Sequence, residues 1–395
     1  MVRCVINAGR STGAGRSRLV QIFFAEAGLQ RKPIGSGETP SKIDGLQAPV
    51  SFCVFRLLPT MTSESVEPLR ASRPQVVFKF GGTAVGTSGR FRAVVDIIRR
   101  TAEAGRVVAV VSAQGKVTRR LSAGMETFVT QFADRSVVVD TLIRDLRERH
   151  LAQARDVLSD DRRTTYATLM GRRLEALRDV FAEVQHRGFT PALRDAVLAT
   201  GEQLSVPMVT LALRDHGLTA PLSDATDLVV TDDTFGEANV DRDATKARVR
   251  RWYNGLSSGA VPVVAGFVGA TPGGTTTTLG FEGSDYSAAL FAQILQAECL
   301  SRYTDIDGLY TDDPDTTADA KRLDEISMEE AFALTESGRL GMHPKTLRPL
   351  VRADIPMQVR SIDDPDGRGT QIVPRGQENV RVTPPVGKIA PERDS

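Results

Sequence analysis

Histidine and cysteine are scarce in this chain, and each scarcity removes a class of chemistry. The four histidines, His150, His186, His216 and His343, are scattered, which leaves a histidine-based metal centre little support. The three cysteines, Cys4, Cys53 and Cys299, are odd in number and show no CxxC spacing. They argue against a disulfide framework or a zinc site and suit a reducing cytoplasm. Net charge is missing too. Fifty basic side chains against 49 acidic ones give +1, so no global field favours nucleic acid or a membrane surface. No apolar run reaches the roughly 20 residues of a membrane-spanning helix. What remains is an ordinary globular composition over 395 residues, long enough for about two to three units of roughly 150 residues.

Charge is unevenly spread. Residues 1–60 hold six Arg and two Lys against two Glu and one Asp, a net of +5, which leaves about −4 for 61–395. This stretch is rich in Gly, Ser and Pro and lacks periodicity. It reads as a targeting peptide, as a disordered arm, or as sequence ahead of the true start. The polar run MTSESVEPLRASRPQ from Met61 favours the last. GRSTGAGRS (9–17) has neither a preceding strand nor GK[ST] and is taken as linker. The expected organisation is an extension over 1–74, a single α/β unit over 75–375, and a polar, Pro-rich, disordered tail over 376–395.

From residue 76 the pattern changes. Residues 76–80 read as a strand, 81–88 as a loop and 90–104 as a helix, with Phe91, Val94, Val95 and Ile98 on one face. The apolar run 107–111 is a second strand, so the unit is strand–helix–strand with a parallel pair. Residues 122–190 are largely helical. Further strands are expected at 218–222, 228–230, 261–264, 300–303 and 357–359. Helices are expected at 192–215, 242–257, 284–297, 326–336 and 344–353. This alternation predicts an α/β sandwich with a mostly parallel sheet.

Several stretches lie where such a sheet collects ligands, at the carboxyl ends of its strands. VVFKFGGTAVG (76–86) sets Lys79 beside Gly81 and Gly82, whose bare backbone lets N–H groups approach an anion. A surface lysine beside a tight turn explains that stretch equally well when it is read alone. VVSAQGKVT (110–118) ends a strand in hydroxyls, with Ser112 and Thr118 able to bond a polar ligand. ATGEQLS (199–205) puts Glu202 near the same mouth, able to hold a substrate ammonium or to be a solvated helix acid. TPGGTTTTLGFEGSDYSAAL (271–290) reads as a hairpin-like loop leading into a helix, with Ser284 as N-cap and Asp285 placed to pair with Lys79. YTDIDGLYTDDPD (303–315) is a strand end followed by an acidic turn without EF-hand spacing.

Taken in order, KFGGTA, VVSAQGKVT, TGEQLS, TTTTLGFEGSDYSAAL, YTDIDGLYTDDPD and GMHPKTLRPL resemble the motifs of aspartate kinases, members of the amino acid kinase superfamily. The match spans about 76–373. It implies a three-layer αβα sandwich with a mostly parallel central sheet. It also implies transfer of the ATP γ-phosphoryl group to the side-chain carboxylate of L-aspartate, with Mg2+ carried by the ATP and no protein metal site. Aspartate and ATP would be the partners of a cytoplasmic homodimer that binds neither nucleic acid nor membrane.

By position, Lys79 resembles the lysine that neutralises the transferring group, and Gly81, Gly82 and Thr83 its cradle. Ser112 and Thr118 resemble substrate-side hydroxyls, and Glu202 the acid for the amino group. Asp285 resembles the organiser of the lysine and phosphates, with Ser284 beside it on the phosphate side. Thr304, Asp305 and Tyr310 resemble nucleotide contacts.

The departures are cationic. The family's arginine in GRGGSDY is Phe281 here, followed by Glu282. The arginine of DPR is Asp315, the lysine of FGAKVLHP falls on Leu340, and a frequent serine is Ala84. Lys116, Arg339 and Lys345 are candidates to compensate. The paired ACT domains common in the family do not follow residue 373, so no built-in feedback site is expected.

Overall fold

The computed structural model describes residues 75–374, apart from 132, 133, 313–316, 318, 339 and 341. The expected extension and tail lie outside the described residues, as do Asp315 and Arg339. In chain order the elements are β1 (Gln75–Phe80), α1 (Ser88–Ala104), β2 (Arg106–Val111), α2 (Val117–Thr130), α3 (Arg135–Val157), α4 (Asp160–Arg187), α5 (Pro191–Asp215), α6 (Ala225–Leu228) and α7 (Arg242–Asn254). There follow β3 (Val263–Ala265), β4 (Val268–Ala270), β5 (Thr276–Thr278), α8 (Gly283–Leu295), β6 (Cys299–Thr304), β7 (Leu309–Tyr310), β8 (Arg322–Leu323) and β9 (Glu325–Ser327). α9 (Met328–Glu336), α10 (Pro344–Val351), β10 (Met357–Ser361) and β11 (Thr370–Val373) complete the order.

One sheet organises the unit, in the order β3-β2-β1-β6-β10-β11-β9, parallel throughout except for the β10–β11 pair. Parallel strands are covered on both faces, which explains why β2 reads RVVAVV with no alternation. β1 lies between β2 and β6, and its register sets Lys79 opposite Arg302 and Phe80 opposite Tyr303. Side chains alternate between faces along a strand. Phe78, Phe80 and Tyr303 therefore meet on one face, with Phe80 and Tyr303 stacked at 5.4 Å, while Lys79 and Arg302 share the other.

The helices follow from local chemistry. Thr87 caps α1 by accepting from the Arg90 N–H, and Phe91, Val94, Val95 and Ile98 form its buried face. α5 starts with a Thr190 cap and Pro191 in its first turn, and it is buried on almost every side. By length and composition α5 would be apolar enough to cross a membrane, but 83% of its most apolar window is buried inside the fold, as in a core helix.

Some expectations fail locally. Residues 218–222 and 228–230 do not form strands. Leu222 and Val230 each make a single bridge, to Val263 and Ala270. Asp224 accepts from the Thr226 N–H and starts the short helix α6, so side-chain capping wins over a brief apolar run. Ser284 is not the N-cap of α8. Glu282 occupies that position with a positive φ of 53° and no side-chain cap bond, and Ser284 lies inside the first turn. The threonine-rich stretch does form a hairpin, β4–β5. β7, β8, β9 and β11 have no counterpart in the sequence reading.

Candidate active site

At the carboxyl ends of β1 and β2, where α5 and α8 close in, lies a cavity of about 290 Å3. Lys79, Gly82, Ser112, Thr118, Glu202, Ser284 and Asp285 line it, so residues from four separated stretches meet there. Lys79 projects from the interior strand β1, and its Nζ lies 2.7 Å from an Asp285 carboxylate oxygen, with both groups buried. Asp285 reaches this point because α8 runs against the sheet end. A Cβ on Gly266 would stand 2.6 Å from Cβ of Ser284, so only glycine permits that approach.

A third charge belongs to the cluster and was not anticipated. Arg302 Nε lies 2.9 Å from the other Asp285 oxygen. Its position follows from the β1–β6 register, which sets it beside Lys79. A lone charged side chain within the largely buried strand CLSRYT is the sequence signal for it. Burial opposes the charge of Asp285, but Arg302 and Lys79 together hold its carboxyl below the usual range. Burial lowers Lys79 from its ordinary value, and Asp285 works against that lowering. Two cations share one carboxylate, so the cluster carries a net positive charge facing the cavity.

Glu202 closes the cavity from α5. Burial pushes its carboxyl up to about 8, only partly offset by the backbone N–H of Ala113, and one of its oxygens has no hydrogen-bond partner. A buried carboxyl with an unsatisfied oxygen aimed into a cavity has room for a hydrogen-bond donor of a ligand.

The glycine turn divides its donors. Gly81 N–H donates to the Tyr303 carbonyl at 3.3 Å, so it serves the sheet rather than a ligand. Among the described residues no partner occupies the N–H groups of Gly82 or Thr83, which stand free at the start of a tight turn. A Cβ on Gly82 would come within 2.7 Å of the Ala113 carbonyl, so this position requires glycine.

Gly81, Thr83, Thr304, Asp305 and Tyr310 do not line the cavity. Thr304 ends β6 and bonds Asp305, while the hydroxyl of Tyr310, on the short strand β7, donates to Asp307 at 2.8 Å. Phe281 is 74% exposed and faces His343 edge-on at 6.4 Å, away from the cavity. The adjacent Glu282 does line the cavity, and its carboxylate accepts from the His343 N–H at 2.6 Å. Lys116 also lines the cavity, whereas Lys345 donates to the Leu279 carbonyl at 2.7 Å. Leu340 is buried in the apolar core. Among the described residues no group of three or more His, Cys, Asp or Glu side chains is arranged to hold a metal ion.

The sequence profile of the Amino acid kinase family matches residues 74–361. This chain belongs to the amino acid kinase family. It is 34% identical over 301 residues to lysine-sensitive aspartokinase 3 of Escherichia coli (strain K12), covering 75% of this chain and 64% of that protein. It is 29% identical over 318 residues to the chloroplastic bifunctional aspartokinase/homoserine dehydrogenase 2 of Arabidopsis thaliana, covering 80% of this chain and 34% of that protein. The chain thus spans about a third of the plant relative and under two thirds of the bacterial one. Among solved structures, E. coli aspartokinase III in complex with aspartate and ADP (R-state) superposes with a TM-score of 0.66 at 33% identity, over 76% of this chain and 64% of that one. The three-layer fold expected from the motifs is therefore the fold of this family.

Proposed function

We propose that this chain phosphorylates the side-chain carboxylate of L-aspartate with ATP, giving 4-phospho-L-aspartate. The observation that carries this reading is the buried Lys79–Asp285–Arg302 cluster facing Glu202 across one cavity. The site has the polarity that two anionic reactants need. Lys79 and the free N–H groups of Gly82 and Thr83 suit the terminal phosphate, where charge accumulates during transfer. Asp285 holds the Lys79 ammonium in place and takes no part as a nucleophile. Glu202 pairs with the substrate ammonium as a carboxylate, its proton passing to solvent as the substrate enters, while Ser112 and Thr118 orient the rest of the amino acid. Direct transfer between oxygens requires no covalent enzyme intermediate, so alignment and charge neutralisation lower the barrier.

The donor set fits a nucleotide that brings its own divalent ion. Asp285 is already shared between two cations, and among the described residues no group of three or more His, Cys, Asp or Glu side chains is arranged to hold a metal ion. Mg2+ would neutralise phosphate charge beyond the reach of Lys79. The test is a hydroxylamine-trapping assay with ATP, Mg2+ and aspartate. Hydroxamate formation is expected, and its absence, where an established aspartate kinase forms it, rejects the proposal.

Phe281 favours a second reading, a same-fold kinase for another amino acid carboxylate. An exposed phenyl ring cannot grip a carboxylate as a guanidinium does. A panel of acceptors in an ADP-release assay separates the two readings.

A further inference from the structure

Behind the cavity, the helix α3 touches both loops that form it. Arg149 donates from Nη2 to the Gly115 carbonyl at 2.9 Å. One turn on, Gln153 donates from Nε2 to the Val85 carbonyl at 3.0 Å, and its Oε1 accepts from Gln114 Nε2. Residues four apart on a helix share a face, so one face of α3 grips the glycine turn 81–86 and the loop 112–118 together. Gln153 and Gln114 are both buried, and Gln114 lines the cavity. The two loops meet backbone to backbone, since a Cβ on Gly115 would stand 3.3 Å from the Gly82 carbonyl oxygen. Lys116 follows Gly115 in a left-handed conformation, φ 68°, and also faces the cavity. The end of the same helix is tied to α1, where Ser88 and Arg92 donate to Asp156.

We infer that Arg149 and Gln153 are positioning residues that set the distance between the phosphate side and the acceptor side of the site. This rests on the reading above for which loop faces which reactant. The glycine turn 81–86 offers donors to the transferring group, and the loop 112–118 offers hydroxyls to its acceptor. The packed glycines have no side chains with which to hold each other, so beyond the backbone bond from Ser112 N–H to the Phe80 carbonyl the restraint comes from α3. Phosphoryl transfer is steep in the separation and alignment of donor and acceptor, and a misplacement of about 1 Å costs on the order of 100-fold in rate.

The test uses the full chain with Arg149→Met, Gln153→Leu and Arg149→Lys, read in two ways. Hydrogen exchange comes first and needs no catalytic activity. In R149M and Q153L the amides of 81–86 and 112–118 are expected to exchange about 10-fold faster, while those of α3 keep their protection. Loops that stay as protected as in the parent overturn the inference, whatever the activity. The second readout is the split between kcat and KM in the aspartate-dependent reaction. A fall in kcat of about 10–100-fold is expected, with the Kd for Mg-ADP changed by less than about threefold and partial recovery in R149K. A kcat within about twofold of the parent overturns the inference, as does a fall that matches a loss of folded protein by thermal unfolding. If Q153L does not fold, R149M decides, because its side chain is only half-buried. If the parent chain forms no phosphoaspartate, the proposed function fails and the exchange experiment still decides the clamp.

Discussion

Two charged regions of this molecule, a few residues apart in sequence, obey different rules. The cluster of Lys79, Asp285 and Arg302 is buried, and its three charges pair with one another. The segment just beyond β6 is equally rich in charge but lies in water. There Tyr310 and Arg322 bond Asp307, and Arg322 and Arg368 pair with Asp324, with all of these carboxylates more than half exposed. Exposed pairs of that kind contribute about 0–1 kcal/mol each. Buried ones lose hydration worth several kcal/mol per ion, which attraction alone rarely returns. A chain that keeps the buried cluster is therefore using it for something other than stability. The exposed network can be explained as surface chemistry.

The largest test of this contrast is Lys79→Met, which is expected to lower the phosphorylation rate by at least about 100–1000-fold. A residual rate within tenfold of the parent would show that the buried cluster is structural after all. Next comes Arg302→Met, which returns the cluster from a net positive charge to a neutral ion pair. A loss of about tenfold in affinity for Mg-ADP is expected by calorimetry, with R302K recovering part of it.

Glu202→Gln tests the buried acid through pH. The folded carboxyl titrates at about 8, against 4.5 in the unfolded chain. Between these values the folded state retains a proton that the unfolded state has released. The parent therefore loses stability as pH rises through this window, at a slope of up to about 1.4 kcal/mol per pH unit. Glutamine has no such proton. The Tm of the variant minus that of the parent should widen from pH 5 to pH 8 and level off above it. A constant difference would place Glu202 in water. The smallest effect is expected from Asp307→Asn, which should change stability by less than about 0.5 kcal/mol in denaturant unfolding.

The same contrast explains what could be read from sequence. The strands 76–80 and 107–111 and the helix 90–104 were legible because burial imposes apolar runs or a helical stripe on them. Lys79, Glu202 and Asp285 were visible as ionisable residues in ordered motifs at strand and helix ends. Arg302 was not, because its role comes from the pairing of β1 with β6 across more than 200 residues, which no local pattern encodes. Gly81 was assigned to the cradle, since sequence cannot show that its N–H is taken by Tyr303. The expected strand at 228–230 failed because one capping aspartate outweighs three apolar residues.

The helix α5 has a consequence for how the chain is made. Apolar nearly all round, it must be wrapped by partners, and one anchor is the bond from Thr278 to Asp195, 83 residues later. During synthesis α2 and α4 emerge before it, but β3 and β5, which also pack on it, leave the ribosome after it does. The side of the helix that meets them thus waits uncovered until the β4–β5 hairpin arrives, and this interval is when the nascent chain is most exposed to aggregation and most in need of a chaperone.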